Sequence, residues 1–354
     1  MRKVRLGRTG IEVNEVAMGC LPIQRVSKDE AVKILHRAYD GGVELFDTAH
    51  VYTDSEEKMG AAFTPSMRKN IIITTKAQCM DYKTAMQQLD LSLQRLGTDY
   101  IDIYQWHNPS KIDDALENED SVYHAMLDAK AQGKIRFIGI TNHHLGRATE
   151  AAKSGLYDTV QYPFSMLSSE DEVELTRLCK EQDVGFLAMK AMCGGLLEDG
   201  TAPFAFMHQF DNVLPLWGVQ KVEEMDQFLS LAADPSAFDE EMQKQVELIR
   251  AENGNEFCRG CGYCMPCPMG INLPIMMRIE FFIKRNRPEK YLAEPYYSQV
   301  QQIDTCIKCG KCMSKCPYQL NIPERIVDQK EAFMELHRQF TAGEPFRFRS
   351  KSGK

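Results

Sequence analysis

A unit of strand, turn, helix and turn recurs through the first two thirds of the chain, and this repetition limits the fold more than any other property. Apolar runs of strand length stand near residues 15–20, 43–48, 71–76, 100–106, 135–140, 158–162, 185–190 and 212–218. Between them the apolar residues fall three or four apart, the spacing of one helix face. Ser27-Lys28-Asp29-Glu30 opens the first helix as a capping box, with Val32, Leu35, Ala38 and Tyr39 on one face and Gly41-Gly42 at the end. Leu89, Leu93 and Leu96 precede Gly97 in the same way, and a second capping box starts at Ser169. Eight such alternations predict an α/β fold, a (β/α)8 TIM barrel of parallel strands ringed by helices, with its chemistry at the carboxyl ends of the strands. Residues 3–13 alternate and turn at glycine, which predicts a hairpin plugging one barrel end.

Polar residues collect where the strand patterns stop. Asp47-Thr48-Ala49-His50-Val51-Tyr52 follows the apolar Val43 to Phe46, Lys76 closes the strand from Asn70, and His107 closes the strand from Tyr100. Taken singly these are ordinary: a strand-end Asp capping a helix, a rim Tyr, a surface Lys, a core His. On consecutive strand ends, Asp47, Tyr52, Lys76 and His107 form a candidate catalytic group. A Tyr serves as a general acid near neutral pH only if its pKa of about 10 is lowered, and a Lys ammonium nearby favours phenolate. An Asp holds the Lys charged, and a neutral His orients a carbonyl oxygen. The set suits reduction of a C=O. His50, His143 and His144 flank it as rim residues, while His36, His124, His208 and His337 lie on helical patterns and are expected to be structural.

A formal charge of −8 and an isoelectric point near 5.6 argue against nucleic-acid and membrane-surface partners, whose binding faces need a basic excess. No apolar run reaches the length of a membrane span, and no apolar signal core follows the amino terminus, so a cytoplasmic protein is expected. Of 12 cysteines, eight crowd between Cys258 and Cys316. Cys20, Cys79, Cys179 and Cys193 are scattered and read as small core residues. Clustering of this kind indicates metal ligation in a reducing compartment rather than a disulfide framework. The expected organisation is a barrel over 1–232, a helical linker over 233–257, a cysteine-rich domain over 258–330, and a helix with a basic tail over 331–354.

The second array, Cys306, Cys309, Cys312 and Cys316 followed by Pro317, has the spacing of the bacterial ferredoxin run. The first, Cys258, Cys261, Cys264 and Cys267 followed by Pro268, resembles it with a shortened last interval. By the crossed rule of that run, Cys258, Cys261, Cys264 and Cys316 would ligate one [4Fe-4S] cluster, and Cys306, Cys309, Cys312 and Cys267 another. Paired zinc sites fit three evenly spaced cysteines plus Cys-Pro poorly. The expectation is a small carboxy-terminal ferredoxin-like iron–sulfur domain, in which the stretch from Leu273 to Thr305 between the arrays, rich in Ile, Met, Phe and Tyr, forms helices with a small core.

The first 230 or so residues resemble the aldo-keto reductases. The resemblance rests on Asp47-Thr48-Ala49 and Tyr52, on Ser55-Glu56-Glu57 and Gly60, on Lys76, on His107, and on Gly139-Ile140-Thr141-Asn142. It implies that Asp47, Tyr52, Lys76 and His107 are catalytic. It implies further that Thr141, Asn142, Gln161 and Lys190 lie against a nicotinamide, and that Gly218, Gln220 and Lys221 take the phosphates and adenosine, near a helix start that favours anions. Met189 stands where the family often stacks an aromatic ring, and Gln220 and Phe228 stand where it usually has an Arg and an Asn. The choice between NAD and NADP is left open.

The resulting expectation is an oxidoreductase interconverting a small carbonyl compound and its alcohol with NAD(P)H and carrying two [4Fe-4S] clusters. Hydride moves two electrons whereas a cluster moves one, and such exchange usually passes through a flavin, for which there is no motif. Two alternatives stay open. One is a ferredoxin-coupled reductase in which electrons from an external redox partner reach a barrel-bound substrate through the clusters, with or without a bound flavin as mediator. The other is a non-catalytic electron carrier with a docking or sensing barrel.

Overall fold

The computed structural model of the chain describes residues 1–348 apart from 113–116, 198, 254–257, 259–261, 263, 286 and 317. Two units divide it, Met1–Arg250 and Ala251–Lys354.

In the first unit, β1 (Lys3–Arg5) and β2 (Glu12–Asn14) form an antiparallel hairpin. The strands β3 (Ala17–Gly19), β4 (Leu45–Asp47), β5 (Ile72–Ala77), β6 (Ile101–His107), β7 (Ile135–Thr141), β8 (Thr159–Pro163), β9 (Gly185–Met189) and β10 (Val213–Gly218) then run parallel and close into a barrel, β10 beside β3. The alternation in the sequence is therefore the barrel itself. Val4, Leu6 and Val13 of the hairpin pack with Ala17, Leu45, Ile103, Leu187 and Leu214, closing one end of the barrel interior with apolar side chains. Gly7 makes that closure possible. It sits at φ +49°, and a Cβ there would come within 2.4 Å of the Gly185 amide nitrogen.

Helices cover the outer face. Ser27 and Glu30 form the expected capping box on Lys28–Asp40, and Ser169 with Glu172 forms the second on Glu170–Glu181. The first helix buries Ala31, Ile34, Leu35 and Ala38, so its core stripe is turned from the one expected, with Val32 and Tyr39 on the flank. The helix Tyr82–Leu96 starts on Asp81, whose side chain accepts from the Thr84 amide, and stops at Gly97 in the left-handed conformation.

Strand register levels the polar residues. Asp47 pairs with Thr74, Lys76 with Gln105, and His107 with Thr141, which in turn pairs with Gln161. Side chains alternate along a strand. Ile103 points into the barrel, so Gln105 and His107, two and four residues on, point there too.

The second unit corrects an expectation. The cysteine-rich segment was expected to be ferredoxin-like, a fold that contains strands. Among its described residues there is no strand: the elements are the helices Leu273–Met276, Ile279–Arg285, Pro288–Leu292, Tyr296–Gln301, Lys311–Ser314 and Ile322–Thr341 and one short 3-10 turn. The reason lies in the apolar spacing. Met276, Ile279 and Ile283, and then Ile322, Ile326, Phe333 and Leu336, recur at three, four or seven residues and are buried together in this unit's own core. Such spacing makes a helix face and not a strand face. No helix among the described residues of the chain is long and apolar enough to cross a membrane.

Candidate active site

Asp47 is the last residue of β4, Lys76 lies near the end of β5, His107 ends β6, and Tyr52 follows β4 in the loop before the helix Ser55–Ala62. All four meet at the carboxyl end of the barrel. The Lys76 Nζ donates to Asp47 Oδ1 at 2.6 Å and to the Thr48 carbonyl at 2.5 Å. Lys76 is 1% exposed and Asp47 4%. The rings of Tyr52 and His107 meet edge to face, centroids 6.1 Å apart, and the ammonium lies 5.5 Å from the Tyr52 ring centre.

Burial governs the protonation of this group. It pushes the Tyr52 phenol above its usual range, and the Asp47 charge adds to that. This corrects the expectation that Lys76 lowers the Tyr52 pKa: Asp47 neutralises the ammonium and burial dominates, so the acid form of Tyr52 is the resting form. Lys76 is lowered by burial, with Asp47 opposing. His107 is lowered to about 3 by burial and then by Lys76, so its imidazole is neutral. The His107 Nδ1 is buried with no hydrogen-bond partner among the described residues.

The residues that the family resemblance assigns to a nicotinamide cofactor form two groups. Thr141 ends β7, Asn142 follows it and Gln161 lies in the middle of β8, and all three are buried. Asn142 donates through Nδ2 to the Pro109 carbonyl at 2.9 Å and accepts from the His144 amide at 2.9 Å. Gln161 donates through Nε2 to Asp47 Oδ2 at 3.3 Å. A side-chain amide has two N–H groups, so each keeps a second donor for a carboxamide oxygen, and the pair fits that group. Lys190 follows β9 with φ +64°, its Nζ 3.4 Å from His143 Nδ1. At the rim, Gly218 ends β10, Arg25 reaches Gln220 Oε1, the Gln220 amide donates to Glu224 Oε2 at 2.8 Å, and Lys221 precedes the helix Val222–Ala233. Phe228 is turned inward on that helix, stacked on Trp217 with centroids 4.3 Å apart.

Sequence reading passed over Thr74 and Gln105. Thr74 Oγ1 donates to Asp47 Oδ1 at 2.5 Å, and Gln105 Nε2 donates to Gln161 Oε1 at 2.7 Å. Their signal was available: a Gln two residues before His107 on the same strand lies in the same inward phase as the His.

A closed parallel barrel with a buried ammonium–carboxylate pair, a phenol and an imidazole at its carboxyl end has the architecture of a barrel oxidoreductase. Residues 15–246 match the model of the aldo/keto reductase family, and the chain belongs to that family. It is an NAD(P)-dependent oxidoreductase of that type. It is 31% identical over 213 residues to the uncharacterized oxidoreductase YqkF of Bacillus subtilis, covering 56% of this chain and 67% of that one. It is 28% identical over 215 residues to the aldo-keto reductase YhdN of the same organism, covering 56% and 64%. The chain thus spans about two thirds of the length of these relatives. An aldo-keto reductase from Klebsiella pneumoniae, solved in complex with NADPH, superposes with a TM-score of 0.60 at 21% identity, covering 70% of this chain and 95% of that one.

The cysteine arrays require a second correction. Residues 257–321 match the model of a 4Fe-4S dicluster domain, so the pattern along the chain is that of such domains. Ligation, however, needs thiolates that converge on one point. Cys264, Cys267, Cys306, Cys309 and Cys312 line one cavity, yet among the described residues no three His, Cys, Asp or Glu side chains are grouped so as to hold a metal ion. Cys261 lies outside the described residues. The expected sets of Cys258, Cys261, Cys264 and Cys316, and of Cys306, Cys309, Cys312 and Cys267, are therefore not formed among the described residues. Spacing fixes the order of thiols along the chain, not their convergence. The ferredoxin-coupled and electron-carrier alternatives, both built on two [4Fe-4S] clusters, find no such ligand group among the described residues.

Proposed function

We propose that the chain interconverts a small aldehyde or ketone and its alcohol, with Tyr52 as the acid and base. A bound NADPH or NADH supplies the hydride. In the reducing direction, the substrate oxygen sits between the Tyr52 hydroxyl and the His107 ring. Neutral His107 orients it, and Tyr52 gives its proton to that oxygen as the carbon accepts hydride. The products are the alcohol, oxidised nicotinamide and a phenolate that regains its proton from solvent. Lys76, held by Asp47, places a positive charge beside the phenolate as it forms. This is where a cation acts on the transition state rather than the ground state.

Thr141, Asn142, Gln161 and Lys190 seat the nicotinamide end, and Gly218, Gln220 and Lys221 the phosphate and adenosine end. The observation that carries the reading is the Lys76–Asp47 pair, 2.6 Å apart, beneath the edge-on rings of Tyr52 and His107. The test is oxidation of NADPH and of NADH by the purified full chain, followed by loss of reduced-coenzyme absorbance, with a panel of simple aldehydes and ketones. Carbonyl-dependent oxidation supports the reading. No turnover with either coenzyme across the panel would sink it.

A further inference from the structure

Beneath the proposed catalytic group lies a closed ring of hydrogen bonds. Asp47 Oδ1 accepts from Thr74 Oγ1 at 2.5 Å, and Asp47 Oδ2 accepts from Gln161 Nε2 at 3.3 Å. The Gln161 carbonyl oxygen accepts from Gln105 Nε2 at 2.7 Å, and the same Gln105 amide reaches Thr74 Oγ1 at 3.2 Å and Asp47 Oδ1 at 3.4 Å. Asp47, Thr74, Gln105 and Gln161 are each 4% exposed or less, so water does not compete for these bonds.

The direction of the ring is fixed by its charge. An ionised carboxylate only accepts. Thr74 and Gln161 must therefore donate to Asp47. With its Nε2 on Asp47, Gln161 turns its carbonyl oxygen to Gln105, which must present its amide nitrogen. The orientation of both amides follows from the Asp47 charge. Gln105 bears the cost: its Oε1 is buried with no hydrogen-bond partner among the described residues. A residue selected for packing alone would not need that orphan, since an apolar side chain of similar volume fills the space without it.

We infer that Gln105 is a positioning residue that couples the cofactor seat to the acid–base pair. This rests on the function proposed above. Through Gln161, Gln105 fixes the amide that faces the nicotinamide carboxamide. Through Thr74, and through its own contact with Asp47, it adds donors to the carboxylate that neutralises Lys76. Gln105 touches neither substrate nor cofactor and acts through these neighbours.

Two variants test this. Gln105→Leu removes both links. Thr74→Val keeps shape and removes the Thr74 donor to Asp47, leaving the Gln105–Gln161 contact and the direct Gln105 contact with Asp47 at 3.4 Å. With fewer donors on Asp47 the potential at Tyr52 is more negative, so its phenol holds its proton more tightly. Alcohol oxidation needs the phenolate, so its rate rises with pH below the Tyr52 pKa, and this rising limb is displaced to higher pH in both variants. Coenzyme Kd, read by fluorescence titration, rises several-fold in Gln105→Leu and stays near wild type in Thr74→Val. Melting temperature is measured in parallel, since a merely structural role would lower it and leave the pH profile and Kd untouched.

A folded Gln105→Leu enzyme with wild-type pH limb and coenzyme Kd overturns the inference. If Gln105→Leu does not fold, Gln105→Met, which keeps the length of the side chain and removes its amide, takes its place, and an unmoved limb with wild-type coenzyme Kd there overturns the inference. A wild-type chain that binds coenzyme without reducing any carbonyl defeats the proposed function, and the Kd comparison still decides the role of Gln105. A chain that does neither overturns both.

Discussion

Lys76 Nζ lies 2.6 Å from Asp47 Oδ1, and neither side chain has appreciable contact with solvent. Pairs of this kind are poor stabilisers against an apolar replacement, yet losing one partner strands a buried charge, at about 3–5 kcal/mol. Asp47→Leu alone should therefore destabilise the barrel by roughly 3 kcal/mol. The double variant Asp47→Leu, Lys76→Met should recover much of that loss while remaining inactive. Denaturant titration of both variants decides it. A double variant no more stable than the single one would mean that the Lys76 charge is not the source of the cost.

Tyr52→Phe removes one oxygen and keeps the ring against His107. Loss of a general acid lowers turnover by about 100-fold or more. The expected outcome is that fall in kcat for carbonyl reduction, with coenzyme binding and melting temperature unchanged. Turnover near wild type would remove Tyr52 from the role of acid.

His107 carries a pH signature. Burial holds its folded pKa at about 3, against an ordinary value of 6.5. The unfolded chain therefore binds more protons between those values, so the contribution of His107 to stability is complete above about pH 6.5 and is lost as pH falls toward 3. The slope is roughly 1.4 kcal/mol per pH unit while this one group titrates. His107→Asn should show a shallower fall in unfolding free energy over that window. Parallel profiles for wild type and variant would show that the ring is not held neutral.

Asp102 separates stability from chemistry. It is fully buried, pairs with Arg68 at 2.8 Å and Arg136 at 2.7 Å, and accepts from the Ile73 amide at 3.0 Å. It lies one residue into β6, five before His107, well below the strand ends that carry the catalytic group. Asp102→Ala leaves the buried Arg68 guanidinium without its carboxylate, left with hydrogen bonds to Thr98 and to the Ile71 and Tyr100 carbonyls, so a loss of about 3 kcal/mol is expected. In protein that remains folded, kcat/KM should be close to wild type. A large kinetic effect at full folding would show that this end of the barrel reaches the active site.

Local order made most of the barrel legible. A strand of period two or a helix face of period 3.6 is written within ten residues, as are the capping boxes at Ser27 and Ser169, so these could be read before any tertiary contact was known. Asp47, Tyr52, Lys76 and His107 were legible for the same reason, each standing where an apolar strand pattern breaks. The stripe on the first helix was displaced because Val32 and Tyr39 are as apolar as the residues that win, and only the facing surface chooses among them.

What sequence could not supply was convergence. The Gln105–Gln161 bond joins residues 56 positions apart and the Gln161–Asp47 bond residues 114 apart, and both exist because eight strands close on themselves and point alternate side chains at one axis. The cysteines teach the converse. Their intervals matched a ligand pattern, but the segment between and after the arrays folds as helices around Ile279, Ile283 and Ile326, and that packing, not the intervals, decides where the described thiols point. Sequence determined the elements and their order because those depend on neighbouring residues. Which distant polar groups meet was decided by closure and packing, which no local pattern encodes.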